Sequence, residues 1–157
     1  MSNISKALTK SQPPQPTTLM TLQNYTEKKQ AFNVLARMEQ NLTIRQSLED
    51  APLVIYSGEK IATIKQIIRV IEFFLEVTGN KLETYQIQVL AGDLYEKFSH
   101  ETFDDIVLMF KMARRGEFGK VYKFDTMLVM DWAGQYLERK TDEREKLVIS
   151  KPLQEQE

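Results

Sequence analysis

The chain has no cysteine. Disulfides, thiol nucleophiles and cysteine zinc sites are therefore excluded, and a reducing compartment fits. There is a single histidine, His100, so a transition-metal centre would have to be built from converging carboxylates. The adjacent acids Asp104 and Asp105 do not supply one. Neighbouring helical positions point about 100° apart, and the pair reads instead as negative charge at the start of a helix, where the dipole favours it. Neither metal nor cofactor is expected.

A long uncharged apolar run is also missing. The most apolar stretch, Ile61–Val77, carries Lys65, Arg69, Glu72 and Glu76, a spacing of charge that a membrane span does not tolerate. Met1–Met20 contains no run like a signal peptide and is interrupted by Pro13, Pro14 and Pro16. The expected location is thus the cytoplasm. Charge of one sign does not dominate either: the net charge is −1, so nucleic-acid binding would need a local patch. The phosphate-loop signature is absent. Gly116-Glu-Phe-Gly119 follows a helix rather than a strand, the wrong context for a dinucleotide fingerprint. His100 lies in a loop with no evident nucleophile held against it, and the chain reads as a non-enzyme.

What is present is helical periodicity. Hydrophobic residues make up 42% of the 157 residues, enough for one core. The expected fold is all-α, a compact bundle of about five helices spanning 27–42, 59–78, 82–98, 102–115 and 126–140. Thr26 is the expected N-cap of the first, with Phe32, Leu35, Ala36 and Met38 on its apolar side. Ile61, Ile64, Ile68, Ile71 and Leu75 recur at three- and four-residue steps on the second, which Gly79-Asn80 stops. Leu82, Tyr85, Val89, Leu90, Leu94 and Phe98 mark the third. Thr102 caps the fourth, whose face is Phe103, Ile106, Val107, Phe110 and Ala113, and Gly116 ends it. Asp125 caps the fifth, docked by Leu128, Val129, Trp132, Tyr136 and Leu137. Thr43–Leu48 adds a short helical piece. Leu53–Tyr56 is a short strand or a core-covering loop. The organisation read from composition is a flexible arm over 1–25, one helical domain over 26–146 and a flexible polar tail over 147–157.

One segment departs from the global balance. Lys111, Arg114, Arg115, Lys120 and Lys123 stand against Glu117 alone, five minus one, or +4. Phe118, Tyr122 and Phe124 are interleaved. Cations with aromatics suit a surface that tracks a phosphate backbone and stacks on bases. The same cations also complement a helix C-terminus, and the aromatics can be core. The candidate nucleic-acid or partner-binding residues are Lys111, Arg114, Arg115, Phe118, Lys120, Tyr122 and Lys123.

The stretch Phe110-Lys-Met-Ala-Arg-Arg-Gly-Glu-Phe-Gly-Lys-Val-Tyr122, then Asp125 and Trp132-Ala-Gly-Gln-Tyr-Leu-Glu-Arg139, resembles a family of short proteins from phages and mobile elements of Bacteroidetes. The likeness covers about residues 48–140. It implies a phage or mobile-element setting, in a bacterial host, and carries no activity with it. The layout is also similar, by architecture alone, to phage replication accessory proteins such as helicase loaders. Two functions are therefore expected to compete. One is a non-enzymatic accessory protein of DNA metabolism that contacts DNA or a replication protein. The other is an adaptor, inhibitor or virion-packaged protein with no nucleic-acid role.

Overall fold

The structure, a computed structural model, describes residues 18–49 and 53–155. Among the described residues seven α-helices follow one another: α1 Thr18–Gln23, α2 Lys28–Met38, α3 Ile44–Glu49, α4 Lys60–Thr78, α5 Thr84–Lys97, α6 Phe103–Arg114 and α7 Thr126–Glu155. Among the described residues there is no strand, only an isolated bridge between Leu53 and Thr102, and the chain is all-α as its periodicity predicts. No helix among them is long and apolar enough to cross a membrane.

The reason for this arrangement is visible in α6. Phe103, Ile106, Val107, Leu108, Met109, Phe110, Met112 and Ala113 are all buried, so the helix is apolar nearly all round and must sit in the middle. It packs against α4 and α7, while α5 packs on α4 and α7. Its ends are well made. Thr102 and Asp105 form a capping box at the start. At the end Gly116 adopts φ +80°, with Gly116 N–H donating to Ala113 O (3.0 Å) and Glu117 N–H to Met112 O (3.1 Å). These two bonds satisfy carbonyls that the helix leaves unpaired. Nothing would crowd a Cβ at Gly116; the left-handed backbone, not space, requires glycine there. Gly79 closes α4 in the same left-handed region, its N–H bonded to Leu75 O.

Several expectations are corrected. α2 is capped at Glu27 rather than Thr26, without a side-chain hydrogen bond, and gives way to a 3-10 turn over Glu39–Asn41. The buried side of α4 is Thr63, Gln66, Ile67, Val70, Ile71, Phe73, Phe74 and Leu75, rotated from the isoleucine stripe, and Ile61 is exposed. On α5, Tyr85 and Val89 face solvent while Ile87 is buried, because Ile87, Leu90, Ala91 and Leu94 form the stripe that meets α4. Leu53–Tyr56 covers the core as a 3-10 turn over Val54–Tyr56, with Val54 buried and its N–H bonded to Glu101 O at 2.7 Å.

Both ends of the expected domain also shift. The flexible arm placed over 1–25 contains α1, whose Leu19 and Leu22 are buried. Arg69 of α4 donates to the carbonyls of Leu22, Tyr25 and Thr26, a cation at the C-terminal end of α1 where free carbonyls gather. The rest of that arm, residues 1–17, lies outside the described residues. The tail placed over 147–157 is helical as far as Glu155. Glu143–Leu147 reads Glu, Arg, Glu, Lys, Leu, all strong helix formers, which carries α7 onward. Pro152, which can donate no bond to the preceding turn, stands within four residues of its end.

Candidate functional site

Two places on this scaffold gather charge. The first is buried. Asp105, fully buried at the start of α6, accepts from Ser47 Oγ (2.8 Å) and Tyr136 OH (2.6 Å) on one oxygen. On the other it accepts from Thr102 N–H (2.8 Å), the Thr102 hydroxyl (2.9 Å) and Lys140 Nζ (2.5 Å). Lys140, only 2% exposed, also meets Glu101 at 2.8 Å, and Glu101 is approached by Arg144 at 3.4 Å. Two acids and two cations thus close on themselves. Burial and the adjacent Asp105 carboxylate hold the Tyr136 phenol well above its ordinary range, so it serves as a hydrogen-bond donor. The constellation joins α3, α6 and α7, with Asp105, Tyr136 and Lys140 buried and Arg144 at its exposed edge. From sequence alone, Asp105 is half of a dipole-stabilising pair; the structure gives it this larger role. The available signal was Lys140, which continues the Val129–Trp132–Ala133–Tyr136 stripe. A lysine on an apolar face implies an acid buried opposite it.

Asp104, the other acid, behaves differently. Burial raises its pKa above the usual carboxylate value, Asp105 adds to this, and a hydrogen bond with Thr18 opposes it. One of its oxygens is buried without a partner among the described residues. His100 is exposed, with Nδ1 3.1 Å from its neighbour Ser99 Oγ; no acid among the described residues orients the ring. No group of three or more His, Asp or Glu side chains among them is placed to hold a metal ion.

The second gathering is the basic loop between α6 and α7, and the structure divides the seven candidate residues there. Arg114 makes a bidentate pair with the Glu39 carboxylate (2.8 and 2.6 Å), and Lys111 Nζ donates to Glu39 O at 2.7 Å. Both cations therefore secure the end of α2 to α6 rather than facing a partner. Phe118 is half-buried against the core, with the Arg139 guanidinium 5.0 Å over its ring. Arg139 also bonds the Glu117 carboxylate (3.2 Å) and Glu117 O (2.5 Å), which staples the loop to α7 and uses up its only acid. Phe124 packs inward, stacked on Phe74 at 5.8 Å. Lys111, Arg114 and Phe118 leave the candidate interface for these reasons.

The remaining four stay. Arg115, Lys120 and Lys123 are exposed and have no ion-pair partner among the described residues. Tyr122 is 90% exposed. Gly119, at φ +103°, lets the chain reverse beneath them. Asp125 is occupied in capping α7, accepting from Leu128 N–H at 2.8 Å. Beside the loop lies an open cleft of about 380 Å³, bordered by Lys120, Val121 and Tyr122 and lined also by Phe74, Asn80 and Trp132. Trp132 itself is buried, edge-on to Phe74 at 5.5 Å, so it forms the floor. No family model matches the chain, and no curated protein or solved structure matches it.

Proposed function

We propose that the protein is a non-enzymatic accessory factor that binds nucleic acid through the loop carrying Arg115, Lys120, Tyr122 and Lys123. The observation that carries this reading is the division of the basic cluster. Arg114 is ion-paired to Glu39 and Lys111 donates to the Glu39 carbonyl, whereas three cations are exposed, with Glu117 paired to Arg139 and Asp125 occupied in capping α7. Like charges held together in this way repel unless an anion lies between them. Tyr122 stands among them with its ring exposed, a surface on which a base can stack. The resemblance to short phage and mobile-element proteins supports a setting in DNA metabolism inside a bacterial host, with a helicase-loader-like role by architectural analogy alone.

The test is titration of labelled oligonucleotides against the intact protein at several salt concentrations. Affinity is expected to fall as salt rises. With three cations available, the slope of log affinity against log salt should reach about −2 for a single strand. Absence of binding to any nucleic acid at low salt would overturn the reading.

One observation favours a second reading, an adaptor for an acidic protein surface. Val121, Tyr122 and Met127 are exposed near the same cations, and an aromatic with aliphatics inside a charged rim resembles a protein-binding hot spot. In that case the loop substitutions abolish capture of the protein partner, and oligonucleotides do not compete.

A further inference from the structure

The cleft beside the loop narrows the kind of nucleic acid. We infer that it receives an unstacked base, so that the ligand is a single strand whose phosphates lie on Arg115, Lys120 and Lys123. This rests on the reading of the loop as a nucleic-acid surface.

Three features of the cleft support it. First, it has room for a small group: about 380 Å³, open to solvent, with the exposed Tyr122 ring at its border and the buried Phe74 and Trp132 beneath it. A base pair inside a duplex keeps both faces stacked and cannot offer either to a side chain, whereas a single strand can turn one base out at little cost. Second, the cleft has a polar edge. Asn80 lines it and gives its amide nitrogen to Thr78 Oγ1 at 2.9 Å. Its amide oxygen has no hydrogen-bond partner among the described residues, so it can accept from the amino or imino group on the edge of a base. Third, charge is arranged for one strand rather than two. The exposed cations belong to a single chain reversal, nine residues long from Arg115 to Lys123. Lys120 borders the cleft itself, placing a cation where the phosphate of an inserted nucleotide emerges. Lys111 and Arg114, the helical extension of the cluster, are already bonded to Glu39, although Arg114 also lines the cleft, so the exposed cations of this run are those of the loop.

The protein carries one tryptophan, and it lies buried beneath this cleft, so its emission is a built-in probe of the cleft. The experiment compares an oligothymidylate with a hairpin duplex at the same low salt, by anisotropy of the labelled DNA and by Trp132 fluorescence. It uses the wild type, Tyr122→Ala and Tyr122→Phe. Tyr122 is exposed, so neither substitution threatens folding. The expected result is tighter binding of the single strand by about tenfold or more, the order that one stacked base contributes. A change in Trp132 emission should accompany the single strand alone. Tyr122→Ala should lose the preference, and Tyr122→Phe, which keeps the ring, should retain it. Equal affinity for both DNAs, unaltered by Tyr122→Ala and silent in Trp132 emission, overturns this inference and leaves the basic surface standing. Failure of both DNAs to bind overturns the functional reading and this inference together.

Discussion

The Asp105 cluster and the loop from Arg115 to Lys123 are concentrations of charge at the two ends of α6, and they are finished in opposite ways. Asp105 itself is fully partnered: Lys140 lies between Asp105 and Glu101, and the tyrosine, serine and threonine hydroxyls fill the remaining acceptor positions. Around Lys120 the acids are spent elsewhere, and three cations are left in water. Charge buried in a folded chain has to be paired, because an isolated ion out of water costs far more than folding supplies. Charge left unpaired on the surface costs little and is available to a partner. Glu39 marks the boundary between these regimes, since it turns two members of a basic run into structural contacts.

The two regions should therefore respond to substitution in opposite ways. The largest effect belongs to Asp105→Ala. It removes five hydrogen bonds at once and leaves the buried Lys140 cation with Glu101 as its remaining acid; the loss should be roughly 3–5 kcal/mol in denaturant unfolding. A midpoint close to the wild type's would show that Asp105 is accessible to water and the cluster is not closed. Trp132→Ala, which removes the floor common to core and cleft, should cost about 3–5 kcal/mol as well. An unchanged melting temperature would place Trp132 outside the core.

Glu39→Gln sharpens the boundary. It should reduce stability by about 1–3 kcal/mol, the range for losing charge-assisted hydrogen bonds. It should also release Arg114 toward the loop, so that oligonucleotide affinity rises even as the fold weakens. Reduced affinity in this variant would mean that Glu39 positions the loop instead of restraining its charge.

Asp104→Asn is smaller and depends on pH. The folded-state pKa of Asp104 is raised, chiefly by burial, so the unfolded chain ionises first as pH rises. Its contribution is therefore fully present below the unfolded value, near 3.8, and is lost as pH climbs through the folded value. An amide does not titrate. The melting temperature of the variant relative to wild type should be higher at pH 7 than in acid; a difference independent of pH would show that Asp104 is ionised in water.

Much of the fold was legible because α6 and the docked half of α7 carry their apolar residues at unambiguous spacing and their termini carry Thr102, Asp125 and Gly116. What was hidden depended on neighbours distant in sequence. α1 is six residues long and sits beside a Ser-, Thr- and Pro-rich stretch, so its two buried leucines have no periodicity to announce them; they are held by α4, α6 and the Arg69 guanidinium. The true face of α4 includes Thr63 and Gln66, polar residues that an apolar stripe passes over. In the candidate site, the sequence showed that cations cluster, but not which were already taken. Glu39 lies 72 and 75 positions from Lys111 and Arg114, and its buried pairing is a tertiary fact.

On the proposed reading, the loop's charge is left unfinished by the fold and is completed by nucleic acid. Changing Arg115, Lys120 and Lys123 together to Ala tests it most directly, with thermal unfolding and oligonucleotide titration made on the same preparation. Stability should stay within about 0.5 kcal/mol per site, as for surface positions without partners. Binding should be lost at moderate salt, and the residual salt slope should fall toward zero. Wild-type affinity in a folded triple variant, or a cooperative loss of stability comparable to that of Asp105→Ala, would contradict the account.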